Sequence, residues 1–158
     1  MYYLFGLGNS GKRFTHTRHN VGHILAKLLA KERLADFISF TNRETLMNKA
    51  GSEVKLTVEQ NNISLDKLIV VHDDMDVPLG EFRLQRDRGF GGHKGVVSVI
   101  DALGSKDFYR LRVGIGHPPE GTSPSSFVLG KLSKDELVTI RSIIPAMAKA
   151  LVELKAKG

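Results

Sequence analysis

Apolar positions along the chain fall into strand-like runs separated by helix-like stripes. Residues 2–7, "YYLFGL", form one apolar run closed by Gly8, Asn9, Ser10 and Gly11, the pattern of a buried strand ended by a turn. Val21, Ile24, Leu25, Leu28 and Leu29 then recur at helical spacing, with Asn20 in position to cap the helix. "DKLIVVHDD" (66–74) is a second strand-like run and ends in acids. "DVPLGEFRLQ" (76–85) reads as a turn followed by a half-alternating strand, and "RDRGFGGHKG" (86–95) as a glycine-rich basic loop. Val96, Val97, Ile100 and Leu103 mark a short helix, "YRLRVGIG" (109–116) a third central strand, and "HPPEGTSPSS" (117–126) a long loop. "SKDE" (133–136) matches a capping box. It opens a last helix whose face runs through Leu137, Ile140, Ile144, Met147, Leu151 and Leu154, with Pro145 expected to kink it. The least legible stretch is 36–62. There Val54, Leu56 and Val58 alternate, which favours a strand by period.

Alternating strands and helices predict an α/β fold: a single domain over 1–158, with a central mixed, mostly parallel sheet flanked by helices. At 158 residues, 41% hydrophobic and 25% charged, the chain is globular rather than disordered. It has no cysteine, which excludes disulfides, thiolate nucleophiles and cysteine metal sites. No apolar run is long enough to span a bilayer and no signal-peptide pattern opens the chain, so a cytoplasmic protein without a membrane partner is expected. Lys and Arg number 23 against 17 Asp and Glu, a net charge of +6. That balance points to a polyanionic partner, most often nucleic acid.

Four candidate constellations bear on chemistry. "GLGNSG" (6–11) satisfies G-x-G-x-x-G literally, but the next helix begins near Asn20, too late to face a phosphate, and no ribose-binding acid ends a second strand. A tight turn explains these glycines better. Three of the six histidines, His16, His19 and His23, crowd the mouth of the first helix. There a helix dipole disfavours imidazolium and keeps a ring neutral enough to act as a base. Asp73, Asp74 and Asp76 end the second strand, where ligand sites gather in α/β sheets, and one of them can orient a histidine base. His72 with these acids lacks the spacing of a metal site. Arg83, Arg86, Arg88, His93, Lys94, Arg110 and Arg112 accumulate around the glycine-rich loop, a composition suited to phosphate contacts.

Together, "GLGNSGKRFTHTRHNVG", "LMNKAG", "VVHDDMDVPLGEFRL", "GFGGHKG", "FYRLRVGIGHP" and "FVLGK" resemble the bacterial-type peptidyl-tRNA hydrolases, in the family's order and over most of the chain. The resemblance implies cleavage of the ester between a peptide and the terminal ribose of tRNA, with no metal or other cofactor. The implied partner is tRNA, and the implied state is a monomer with no obligate protein partner. It makes His19 the catalytic base and Asp73 its orienting carboxylate. Asn9 becomes a selector of blocked amines and Asn48 a substrate-positioning amide. Phe14 and Leu46 become substrate contacts, and Arg83 and Arg112 cations near the acceptor-stem phosphates.

Three departures stand out. Lys94 replaces an asparagine usual in the family, where a lysine either disfavours imidazolium at His19 or grips the terminal phosphate. Ser10 replaces a proline and loses its fixed φ. The span from His19 to Asn48 is shorter than the family's by about a hairpin, a strand pair that helps complete the sheet. The family also places a helix after "LMNKAG", against the alternation at 54–58, and the helix is the expectation adopted. The alternatives are a non-catalytic tRNA- or RNA-binding relative, motivated by Lys94 and the short span, and a nucleotide binder using "GLGNSG".

Overall fold

The computed structural model describes residues 1–86, 89 and 91–158. Five strands form one sheet in the order β2-β1-β3-β5-β4: β1 Tyr2–Gly6, β2 Phe37–Thr41, β3 Leu68–Asp74, β4 Phe82–Arg86 and β5 Tyr109–Gly114. All neighbours pair parallel except β4, which runs antiparallel to β5 at the edge. The mixed, mostly parallel sheet anticipated from the sequence is therefore present.

Period-two alternation sends the strand side chains into two cores. Leu4, Ile69, Val71, Leu111 and Val113 face one core with α1 (Val21–Lys31) and the C-terminal helices α5 (Lys134–Ser142) and α6 (Ile144–Lys157). Phe5, Leu68 and Val70 face the other, with α2 (Ala50–Gln60) and α3 (Lys94–Leu103). β3 is buried through His72 and Asp73, as a central parallel strand must be.

The connection leaving β1 runs through α1 to β2 at one side of the sheet, while the chain leaving β3 runs to β4 and β5 at the other. β1 and β3 are neighbours, so a crevice opens between their C-terminal ends, the usual ligand position in such sheets. Asn9 follows β1, and Asp73 is the penultimate residue of β3 at that point.

Several local expectations are corrected. Residues 52–60 lie in α2, as the resemblance implied, and the alternation there is accidental: Val54 is buried but Leu56 is 52% exposed. The segment 36–62 also supplies one further strand, β2, beside β1. The loop at 117–126 gives way to a short helix, α4 (Pro124–Leu129), capped by Ser123. The last helix is two helices rather than one kinked helix. Pro145 sits in the first turn of α6, where its missing N–H costs nothing. The capping box at Ser133 and Glu136 is present.

Candidate active site

The glycines of "GLGNSG" allow close packing instead of cradling phosphate. A Cβ on Gly6 would strike Gly22 and Ala26 of α1, and one on Gly8 would strike the His23 ring. Between Gly11 and α1 lie two 3-10 turns, Lys12–Phe14 and Arg18–Asn20, so no α-helix starts at the glycines.

Asn20 holds the N-cap position of α1, but its side chain makes no capping bond. It grips the loop after β1 instead: the Asn9 N–H donates to Asn20 Oδ1 at 2.7 Å, and Asn20 Nδ2 donates to the Asn9 carbonyl at 2.9 Å. On the other side Asn42 Nδ2 donates to the Gly8 carbonyl, and the Gly8 N–H donates to Asn42 Oδ1. The Asn9 side chain is then fixed by its own Oδ1, which accepts from the Met47 N–H at 2.6 Å. No partner holds its Nδ2 among the described residues, and Asn9 lines the cleft.

His19 is placed by a turn tied to the far end of the chain. The Arg18 N–H donates to the Gly130 carbonyl, the Leu132 N–H to the His16 carbonyl, and Arg18 pairs with Glu136 at 3.1 Å while lying over the Phe127 ring. His19 Nδ1 donates to Asp73 Oδ2 at 2.8 Å. The other Asp73 oxygen accepts from His93 Nε2, also at 2.8 Å. His93 is the N-cap of α3: its Nδ1 accepts from the Gly95 and Val96 N–H groups at 3.1 and 3.2 Å. His72 donates from Nδ1 to the Asp73 carbonyl and packs edge-on to His93.

These partners set the tautomers. His93 has both nitrogens engaged, and His72 is fully enclosed in the core. His72 also has an unprotonated Nε2, but it is buried without a partner among the described residues, so His19 alone among the three presents a lone pair to the cleft, on Nε2, with its side chain 12% exposed. Asp73 is 2% exposed. Burial alone would raise its carboxyl, but the charges and hydrogen bonds of His93 and His19 outweigh this and hold it well below the usual carboxylate range.

The cleft above this group has a volume of about 540 Å³. Phe14, Leu46, Asn48 and Lys94 line it, so the structure brings together seven predicted residues: Asn9, Phe14, His19, Leu46, Asn48, Asp73 and Lys94. Gly51 packs against Ser98 of α3 with no room for a Cβ, which seats the Met47–Lys49 turn and its Asn48 at the cleft. Met75, Val128 and Leu129 complete an apolar wall.

Of the predicted cations, Arg83, Arg86, Arg110 and Arg112 do not line the cleft. Arg83 and Arg112 are cross-strand partners on β4 and β5. Arg112 is held by Asp74 at 2.8 Å and by Gln85, and Arg83 pairs with Glu81 at 3.6 Å. Arg86 is bound to Asp107, and Arg110 is buried beside the Phe108 ring. Arg88 lies outside the described residues.

Two histidines were misjudged from sequence. The sequence places His93 only among the cations, although it is the second hydrogen-bond partner of Asp73. His23 belongs by sequence to the helix mouth, but it is buried and its Nε2 lies 2.8 Å from Asn42 Oδ1. His16 is exposed.

Among the described residues, His19, Asp73 and His93 also form the one group of donor atoms close enough to hold a metal ion, all within 4.8 Å of one another. A cation there has to displace both hydrogen bonds to Asp73.

His72 makes stability depend on pH. Burial, with His93 adding to it, pushes its pKa from 6.5 down to about 3. Between these values the unfolded chain binds a proton that the folded protein does not. Stability from this group is full above pH 6.5 and drains away as pH falls toward 3. The urea midpoint should fall more steeply from about pH 6.5 to 4 in the wild type than in His72→Asn, whose amide keeps a donor toward the Asp73 carbonyl. Parallel curves would contradict this.

The family description "Peptidyl-tRNA hydrolase" matches residues 3–158. The chain is 37% identical to a peptidyl-tRNA hydrolase of Lawsonia intracellularis, over 94% of this chain and 84% of that protein. It is 35% identical to one of Oceanobacillus iheyensis, over 100% and 94%. A crystal structure of peptidyl-tRNA hydrolase from Acinetobacter baumannii superimposes with a TM-score of 0.82 at 27% identity, covering 99% of this chain and 91% of that one. A solution structure of the endopeptidase HycI from Escherichia coli, at 15% identity and a TM-score of 0.55, shares the fold.

Proposed function

The chain belongs to the peptidyl-tRNA hydrolase family, and on that premise we propose that it cleaves the ester of peptidyl-tRNA with His19 as general base. The observation that carries the assignment of the base is tautomeric. Of the three histidines around Asp73, only His19 has a ring nitrogen that is both unprotonated and open to the cleft.

In this reading His19 Nε2 takes a proton from a water molecule, and the water oxygen bonds to the ester carbonyl carbon. Asp73 stabilises the imidazolium that forms. The tetrahedral oxyanion is met by side-chain amide donors, the free Nδ2 of Asn9 and the amide of Asn48. Collapse breaks the bond to the ribose oxygen, which recovers the proton from His19. Atoms and charges balance with no nucleophilic side chain. Phe14 and Leu46 offer the peptide apolar surface at the cleft rim, and Lys94, exposed at the start of α3, is set for the phosphate of the terminal nucleotide. Arg83 and Arg112 contribute to the tRNA-facing field, with Arg112 partly offset by Asp74. The reading keeps tRNA as partner, calls for no cofactor and no obligate protein partner, and describes a monomeric cytoplasmic enzyme.

Asn9 gives the reading its selectivity. A donor amide welcomes the carbonyl of a peptide bond or acyl group, whereas a free α-amine is cationic and offers no acceptor. The purified protein should hydrolyse N-acetyl-aminoacyl-tRNA and leave the unblocked aminoacyl-tRNA intact. Equal rates on both would sink the role given to Asn9, and no hydrolysis of either would sink the enzymatic reading in favour of a non-catalytic tRNA-binding relative.

A further inference from the structure

A second cavity, about 480 Å³, lies on the other side of the Asn9–Lys12 loop from the catalytic cleft, and Asn9 lines both. Four cations converge on it from four segments: Lys12 of the loop, Lys27 of α1, Arg43 after β2 and Arg141 of α5. No carboxylate is among its lining residues. Five other cations each sit against an acid: Arg18 on Glu136, Lys67 on Asp66, Arg83 on Glu81, Arg86 on Asp107 and Arg112 on Asp74. Among the described residues, none of the four cavity cations has such a partner.

Glu53, close to Arg43, is already engaged. Glu53 accepts from the backbone N–H groups of Arg43, Glu44 and Thr45 at 2.7, 3.0 and 2.8 Å, and from Thr45 Oγ1. Its carboxylate fixes the backbone and leaves the Arg43 guanidinium unneutralised. The cavity floor is polar and already arranged: Asn42 is 1% exposed, and its amide is spent on Gly8, Thr45 and His23. Four like charges held around one concavity repel each other unless an anion joins them. Two of them are guanidiniums, which favour forked hydrogen bonds to phosphate oxygens.

We propose that this cavity is a phosphate-binding site, distinct from the catalytic cleft and joined to it through the Asn9 loop. Its ligand is a phosphate group, supplied either by the backbone of the RNA substrate or by a free phosphate-bearing molecule. The assignment rests on the cavity and its charges and does not depend on His19 being the base.

The test uses the double variant Lys27→Glu/Arg141→Glu, two exposed positions outside the catalytic group. A control, Lys149→Glu/Lys157→Glu on α6, makes the same charge change outside the cavity lining. Pyrophosphate binding is measured by calorimetry. Hydrolysis is measured on N-acetyl-aminoacyl-tRNA and on the minimal ester N-acetyl-aminoacyl-adenosine, which lacks the tRNA body.

If RNA supplies the phosphate, the cavity variant raises KM for the tRNA substrate with kcat unchanged. It also makes the dependence of log KM on log salt shallower by about 1 per lost contact, and spares the minimal ester. If a free molecule supplies it, pyrophosphate binding disappears in the cavity variant while both substrates keep their KM. Either result, absent from the control, supports the site. No change in pyrophosphate binding or tRNA KM, or equal changes in cavity and control variants, overturns it. Should the reversed charges prevent folding, Lys27→Gln/Arg141→Gln carries the same expectations at smaller amplitude.

Discussion

Replacing His19 with alanine should cut hydrolysis of N-acetyl-aminoacyl-tRNA by about 10²–10⁴-fold, the usual contribution of a positioned base, while affinity for uncharged tRNA stays within about twofold. The separation follows from where the ring sits. His19 points one nitrogen into Asp73 and the other into the cleft, and is not itself one of the cations that would meet RNA. Alanine also removes a donor from a buried carboxylate, so part of any loss can come from a disturbed Asp73. His19→Asn separates the two causes. Its amide offers a donor to Asp73 without supplying a base. It should be as inactive as His19→Ala and nearer the wild type in thermal stability. Substantial turnover in His19→Asn would mean that another group takes the proton.

Asp73→Asn should cost a comparable factor by a different route. His93 cannot change tautomer cheaply, because its Nδ1 accepts two N–H groups at the start of α3. It must keep its proton on Nε2, and that proton claims the single oxygen of the new amide. The amide nitrogen is then left facing His19 Nδ1, which has to become an acceptor. The His19 proton moves to Nε2, the nitrogen needed as base. The same carboxylate-to-amide change in a serine-protease triad lowers kcat by about 10⁴ through the wrong tautomer, and a loss of about 10²–10⁴ is expected here. Nitrogen-15 chemical shifts of the His19 ring report the tautomer directly. A variant with Nδ1 still protonated, or with near-normal turnover, would contradict the arrangement. Acid stability should change as well. The depressed Asp73 carboxyl stabilises the fold above its unfolded value of 3.8, and this is lost as pH falls through the lower folded value. The asparagine variant lacks that step.

β1, β3 and β5 were legible because burial on both faces leaves apolar runs, as in 68–74, and the turns because glycine and proline mark them, whereas the half-exposed edge strand β2 carried no such run. The helix at 50–60 was obscured by chance. Its inward side is small, Ala50, Gly51 and Val54, to let α2 approach α3, so hydrophobic size gave little helical period while outward Leu56 supplied a false alternation. His19 and Asp73 stood out because one follows the first strand's turn and the other ends a strand. His93 did not. Its only local mark was a lone histidine ahead of an apolar stripe, a position from which an imidazole can cap. Its second bond, to Asp73, spans 20 positions. The pairing of Arg112 with Asp74 was equally hidden, because it depends on the register between β3 and β5. The basic cavity is the extreme case: Lys12, Lys27, Arg43 and Arg141 are scattered along the chain and meet only in the fold.

The same three side chains that hold the base, His19, Asp73 and His93, are the group best placed to hold a metal ion, so the central claim is tested where these two chemistries part. The measurement is single-turnover hydrolysis of N-acetyl-aminoacyl-tRNA by chelator-treated wild-type protein beside His19→Ala. A histidine base held by Asp73 predicts the full rate in the treated wild type and loss in the variant. A rate that vanishes on chelation and returns with a divalent cation, or that survives in His19→Ala, would contradict it.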